Sequence, residues 1–262
     1  MAVMKIAICL SGYIGWTKSN YDHSGKTNKN TMADMSNKQE ADPKVSFNSI
    51  KNKIVDVNKK AGNEVDFFIH TWSFEKEDEL KDLYKPKVIK AEPQDKFDQG
   101  ELDDFGSDYK PGMKWNNKFR CYSKFNSMYK SLKPVREYET KHNFKYDYVL
   151  STRLDMVYRS DLLFTEDKFE KDIIWIGDNP HVSNTGHGRM NDMIFFSGSD
   201  IMYGFVEEYK NINQFSKINT YHKHRLPVDP HLLFPAYCKA ITNKLCYFWL
   251  QTKNFNIIRL IS

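Results

Sequence analysis

In this 262-residue chain the residues equipped for chemistry gather at the ends of apolar runs. Ser11, Gly12 and Tyr13 follow the run KIAICL. A glycine there lets the backbone approach a phosphate or a base closely, and Tyr13 or Trp16 can stack on a nucleobase; an ordinary turn has the same composition. His70, Thr71 and Trp72 close the run VDFFI. His70 can donate to a pyrophosphate oxygen or a sugar hydroxyl, or can be a core-edge histidine satisfied by backbone. Arg153 and Asp155 end the segment YDYVLSTRLD. Two apart on a strand, they point to one side. Arg153 offers a bidentate fork for phosphate, and Asp155 can hold a divalent ion or a sugar hydroxyl; a structural ion pair is the alternative. Asp192, just before IFF, and Asp229, beside Pro230 and His231, are candidate general bases for a hydroxyl. Asp229 serves equally as a helix N-cap.

These positions need a scaffold, and the hydrophobic pattern supplies one. Short apolar runs at 5–10, 65–69, 87–90, 173–176, 193–196 and 255–261 read as strands, and so does YDYVLSTRLDMVY over 146–158, with its charged motif toward the end. Between them lie helical patterns. Asp42-Pro43 is a helix start, Gly62 is its stop, and Phe47, Ile50, Ile54 and Val57 mark the apolar face. A short charged helix is expected over 75–84. A long one carries Phe119, Tyr122, Phe125, Tyr129, Leu132, Val135 and Tyr138, with Pro134 expected to kink or divide it. Further helices begin near 201 and 230. Strands alternating with helices predict an α/β fold, one domain over 1–262, with a mostly parallel central sheet flanked by helices. In such sheets ligands bind outside the carboxyl ends of the strands, where the motifs above lie. Residues 17–42 and 92–114 read as long loops.

Composition excludes several classes. Apolar residues are 40% and charged residues 28%, a globular balance. Net charge is +5, from 39 basic and 34 acidic side chains that interleave along the chain. No focused basic stripe marks a nucleic-acid binder; His222-Lys223-His224-Arg225 is a local basic patch only. Ser24-Gly25-Lys26-Thr27 lacks the earlier glycine of a P-loop, since position 20 is Asn. The four cysteines, at 9, 121, 238 and 246, show neither zinc-ligand spacing nor a disulfide framework. Reduced thiols in a reducing compartment are expected. No run approaches the ~20 apolar residues of a membrane span, and residues 6–10 are too short for a signal-peptide core. The expected location is cytoplasmic, peripheral membrane attachment or a host cytoplasm being left open.

Taken in order, KIAICLSG, VDFFIHTW, the aromatic helix, KYDYVLSTRLDMVY and NDMIFFSGSD resemble GT-A-like glycosyltransferases of the WavE-type lipopolysaccharide-synthesis group and related microbial and viral enzymes. The likeness runs from residue 5 to about residue 240. It implies a nucleotide-sugar donor and a glycan or other hydroxyl acceptor. Ser11, Gly12 and Tyr13 would line the nucleotide site, with His70 and Trp72 beside the donor. Arg153 and Asp155 would hold the diphosphate, directly or through Mn²⁺ or Mg²⁺ on Asp155. Asp192, or else Asp229, would take the acceptor proton. Two departures stand out. Lys18 follows the Ser-Gly where an arginine is usual, and the chain has no Asp-x-Asp triplet. The alternatives are a sugar nucleotidyltransferase and a non-catalytic carbohydrate- or nucleotide-binding protein; retained donor binding without turnover would single out the last.

Overall fold

The strand KIAICLSG becomes the centre of the molecule because both of its faces are apolar. In the computed structural model, which describes residues 3–14, 16–17, 38–39, 42–94, 118–177, 192–217, 230–248 and 255–257, this is β1 (Lys5–Gly12). Ile6, Ile8 and Leu10 enter one core, and Ala7 and Cys9 enter another on the opposite face. Burial on both faces is the signature of a parallel sheet covered on two sides.

β1 pairs in parallel with β4 (Glu64–Thr71) on one side and β6 (Tyr148–Arg153) on the other. β5 (Val88–Ala91) extends the sheet in parallel beyond β4. Beyond β6 comes β9 (Ile194–Ser197), which runs antiparallel to β6 and to β8 (Ile174–Gly177). β10 (Leu245–Phe248) closes that edge, parallel to β8. The seven-stranded order is β5-β4-β1-β6-β9-β8-β10. The fold is therefore mixed α/β with a mostly parallel central sheet, as the sequence pattern predicts.

Helices cover both faces. On the first lie α1 (Pro43–Ile50), a π turn (Lys51–Val55), α2 (Asp56–Lys60) and α3 (Glu77–Tyr84), burying Ile50, Ile54, Val55, Leu80 and Tyr84. Asp42 caps α1 by accepting from the Lys44 N–H at 2.9 Å, and Pro43 opens the helix, as its fixed φ allows. Gly62, at φ +88°, ends the run as expected. On the second face lie α4 (Lys118–His142), α5 (Ser199–Glu207), α6 (Ile212–Lys217) and α7 (Pro230–Ile241). Phe125, Met128, Leu132, Phe205, Phe234 and Tyr237 fill the core between them and the sheet.

Some expectations need correction. Pro134 does not divide α4, which continues through it as one 25-residue helix. A proline removes one i→i−4 hydrogen bond, and the helix is held by the apolar face on either side of it. The segment YDYVLSTRLDMVY is not one strand. β6 ends at Arg153, Leu154-Asp155 form a turn, and β7 (Met156–Tyr158) pairs antiparallel with β11 (Phe255–Ile257) outside the main sheet. Trp16–Thr17 (β2) and Lys38–Gln39 (β3) form a short antiparallel ladder, where residues 17–42 read as a long loop. β10 was not anticipated either, because its four residues carry no clear alternation.

Candidate functional site

The chain runs β1, β4, β5 outward in one direction, then returns through α4 to β6 on the other side of β1. Strand order reverses between β1 and β6, and the crevice above such a switch point is where open α/β sheets bind ligands. Ser11 is the register partner of both His70 and Arg153, and His70 is the partner of Lys90. Arg153, Ser11, His70 and Lys90 therefore form one row across the carboxyl edge. By strand alternation the first three belong to the face covered by α4. β9 runs the other way, so its beginning, not its end, reaches this edge. Ile194 pairs with Thr152, which brings Asp192 beside the Arg153–Asp155 turn.

Two buried carboxylates dominate the crevice. Asp155 is 2% exposed and accepts from Arg153 Nε at 2.7 Å and Nη2 at 2.5 Å, a two-point pair. Asp192 is 1% exposed; Lys124 Nζ from α4 lies on its Oδ2, and His231 Nδ1 from α7 lies 3.0 Å from its Oδ1. Burial pushes the Asp192 carboxyl up, but Lys124 and His231 outweigh it and hold it well below the usual carboxylate range. Burial works against the Arg153 charge, and Asp155 more than compensates, with a further contribution from Asp192. Burial pushes the Lys124 ammonium below the ordinary lysine value; Asp192 offsets part of this, and the charge of Arg153 adds to it. The two pairs thus bear on one another.

His70 has a different place from that expected of a residue touching a donor. It is 0% exposed and both ring nitrogens are engaged. Burial opposes ionisation of Glu92, but hydrogen bonds from Lys130, Lys90 and His70 overcome this and hold its carboxyl down at about 2. An ionised Glu92 only accepts, so His70 Nε2 carries the proton and donates to Glu92 Oε1 at 3.1 Å. Nδ1 then accepts from the Ser127 hydroxyl at 2.7 Å, and Ser127 Oγ accepts the Gly12 N–H at 2.8 Å. The chain of bonds ties the end of β1 to α4 and the end of β4. Trp72 stands edge-on to His70, with ring centroids 4.5 Å apart, and Lys130 Nζ is 4.7 Å from its ring centroid. The Trp72 indole N–H is buried without a partner among the described residues. Gly12 adopts φ +104°, in the region that favours glycine, and a Cβ added there would meet nothing within 4 Å among the described residues. Tyr13 is half-buried beyond it, and burial followed by the charge of Glu75 pushes its phenol up.

Ser11, Gly12, Arg153, Asp155 and Asp192 are therefore gathered at one edge, with His70 and Trp72 packed beneath it. Asp229, His222, His224, Lys18 and the side chain of Trp16 lie outside the described residues. Sequence reasoning missed Lys124, Ser127 and Glu92. Ser123, Ser127 and Ser131 recur every four residues on the buried side of α4; that polar line on an apolar face is the signal that pointed there.

Among the described residues the donor set does not fit a divalent cation. Both oxygens of Asp155 are taken by Arg153, and both of Asp192 face Lys124 and His231. Among the described residues no group of three or more His, Cys, Asp or Glu side chains could hold a metal ion. Nor, among them, is any helix long and apolar enough to cross a membrane.

No protein-family model matches the chain, and no curated protein sequence matches it. Among solved structures it is similar to the nucleoside-diphosphate-sugar pyrophosphorylase from Vibrio cholerae RC9, at 10% identity over 96% of this chain and 94% of that one, with a TM-score of 0.44. A likeness this distant carries no chemistry from one chain to the other. The resemblance to the WavE-type group rests on the order of the motifs alone.

Proposed function

We propose that the chain is a glycosyltransferase that moves a sugar from a nucleotide-sugar donor to a hydroxyl acceptor. One observation carries the reading: Arg153 stands at the switch point between β1 and β6 with Lys124 beside it, and among the described residues nothing lies within 4 Å of a Cβ added at Gly12. A diphosphate seated there meets a guanidinium and an ammonium. The base of the nucleotide lies toward Tyr13, and the network through His70 and Ser127 holds the end of β1 in place beneath it.

In the transfer, the acceptor oxygen bonds to the anomeric carbon. The bond from that carbon to the phosphate oxygen breaks, and the electron pair leaves with the diphosphate. Charge grows on the leaving group, where fixed cations count most. The acceptor proton goes to the Asp192–His231 unit. Asp192 is too deeply buried and too well paired to reach the hydroxyl itself, so His231, 29% exposed, is the contact and Asp192 orients its ring.

The test is a thermal-shift panel of UDP-, GDP-, CMP- and dTDP-sugars, followed by a transfer assay with the donor that binds. A ligand at 100 times its Kd adds about 2.7 kcal/mol of stability. One donor is expected to raise the melting temperature, and Arg153→Gln is expected to lose the effect. Well-folded protein that responds to no donor would sink the reading. Binding without transfer would leave a binding protein. Release of pyrophosphate from a nucleoside triphosphate and a sugar phosphate, run as a further arm, would replace it with a sugar nucleotidyltransferase.

A further inference from the structure

We propose that Arg153 and Lys124 together supply the counter-charge for a diphosphate at this site, each held in position by its own buried carboxylate, in place of a divalent cation. The inference deepens the transferase reading and takes from it the identity of the anion.

The geometry of the two pairs is the same in outline. In each, the carboxylate is the buried partner, at 2% for Asp155 and 1% for Asp192, and the cation is the outer one, with Arg153 33% and Lys124 21% exposed. Asp155 grips Arg153 side-on, through Nε and Nη2. The rigid fork then has Nη1, which has no protein partner among the described residues, to offer to a ligand. Lys124 meets Asp192 through one carboxylate oxygen, and an ammonium has three donors. Both cations can therefore bind an anion without letting go of their carboxylates. They come from different elements, the end of β6 and the first half of α4, and Lys124 reaches the Arg153–Asp155 turn through Asp192, which the β6–β9 pairing brings beside it.

The same contacts disfavour a metal. An ion on Asp155 would displace the Arg153 fork and then stand beside two like charges, Arg153 and Lys124. Magnesium sites of this type need at least one open carboxylate alongside the substrate phosphates; here Asp155 is held on both oxygens by Arg153, and Asp192 is ion-paired with Lys124 and His231. Arginine is suited to the substitution, because its planar fork can face a carboxylate on one edge and a phosphate on another.

The test is calorimetric titration of inorganic pyrophosphate into the full-length protein after EDTA treatment, repeated at equal free pyrophosphate with Mg²⁺ added back. Binding without Mg²⁺, changed little by adding it, is expected. Arg153→Gln and Lys124→Gln should each weaken binding by about tenfold or more, the scale of a lost charge-assisted hydrogen bond. Asp155→Asn separates positioning from plain electrostatics. It removes a negative charge, which by Coulomb attraction alone would tighten anion binding, whereas a released Arg153 should weaken it. Should Arg153→Gln fail to fold, Arg153→Lys serves, since a lysine on Asp155 keeps the charge but loses the outward edge of the fork. Pyrophosphate binding that requires Mg²⁺ overturns the proposal. So does wild-type affinity in Arg153→Gln or Lys124→Gln, or tighter binding in Asp155→Asn. The transferase reading fails separately: intact pyrophosphate binding that depends on Arg153 and Lys124, with no sugar transfer from any donor, supports the cation pair and overturns the transferase. Transfer that occurs only with Mg²⁺ does the reverse.

Discussion

At the scale of single residues, Gly12 links backbone conformation to the crevice. A side chain at φ +104° is strained by about 1–2 kcal/mol, while a Cβ there meets nothing within 4 Å among the described residues. Gly12→Ala is therefore expected to lower stability by about that amount without a clash, which a denaturant titration measures directly; an unchanged midpoint would mean that the backbone there relaxes freely. Asp192 makes a prediction of another kind. Burial already pushes the Lys124 ammonium down, and Asp192 is the group that holds it up. In Asp192→Asn the ammonium should lose its proton at lower pH. Pyrophosphate binding needs the charged form, so its loss on raising the pH should begin earlier in the variant than in the wild type. Coincident alkaline limbs in a pH series of titrations would remove Lys124 from the site. Gly12, Arg153 and Asp155 were legible in the sequence because each sits at the end of an apolar run. Lys124 was not, since its partner lies 68 residues away and meets it only once α4 and β9 are packed.

At the scale of elements, the ends of β1 and β4 are fastened to α4 through His70. Its pKa is lowered to about 4, chiefly by burial, against about 6.5 in an unfolded chain. The folded protein thus resists a proton that the unfolded chain accepts. This residue costs no stability above about pH 6.5, and roughly 3 kcal/mol is lost as the pH falls from there to about 4. Glu92 then acts in the same direction: with its carboxyl held at about 2, its stabilisation fades as the pH drops below the ordinary glutamate range. Melting temperature should decline below pH 6.5, and His70→Asn should lack the upper part of that decline; parallel profiles for the two proteins would mean that His70 is not the group responsible. The strands of the central sheet were readable because apolar runs of four to eight residues are bounded by polar punctuation. The turn that splits β6 from β7 was not, because Leu154 is itself buried and continues the apolar pattern through the break. Pro134 misled for a related reason: local propensity argued for a break, and packing on both sides of it prevailed.

At the scale of the whole molecule, the sheet divides two cores, and the cysteines follow that division. None of the four forms a disulfide; Cys9, Cys121 and Cys238 are buried in the core beneath α4 and α7, while Cys246 is only half-buried on the edge strand. Burial pushes the Cys9 and Cys238 thiols well up, which suppresses the reactive thiolate. Titration with a thiol reagent should label Cys246 first in the native protein and the other three only on unfolding; early labelling of Cys9 would contradict the central place of β1. The antiparallel course of β9 has the largest effect on the crevice, since it turns a strand beginning toward an edge otherwise made of strand ends. The two anchored cations have one more consequence. Arg153 with Asp155, and Lys124 with Asp192, each sum to zero charge. These pairs by themselves project little field into the solvent, so they do not draw an arriving anion in from a distance. Their contribution to selectivity among anions must come from how long each one stays, which is decided by fit to the fork and the ammonium after arrival.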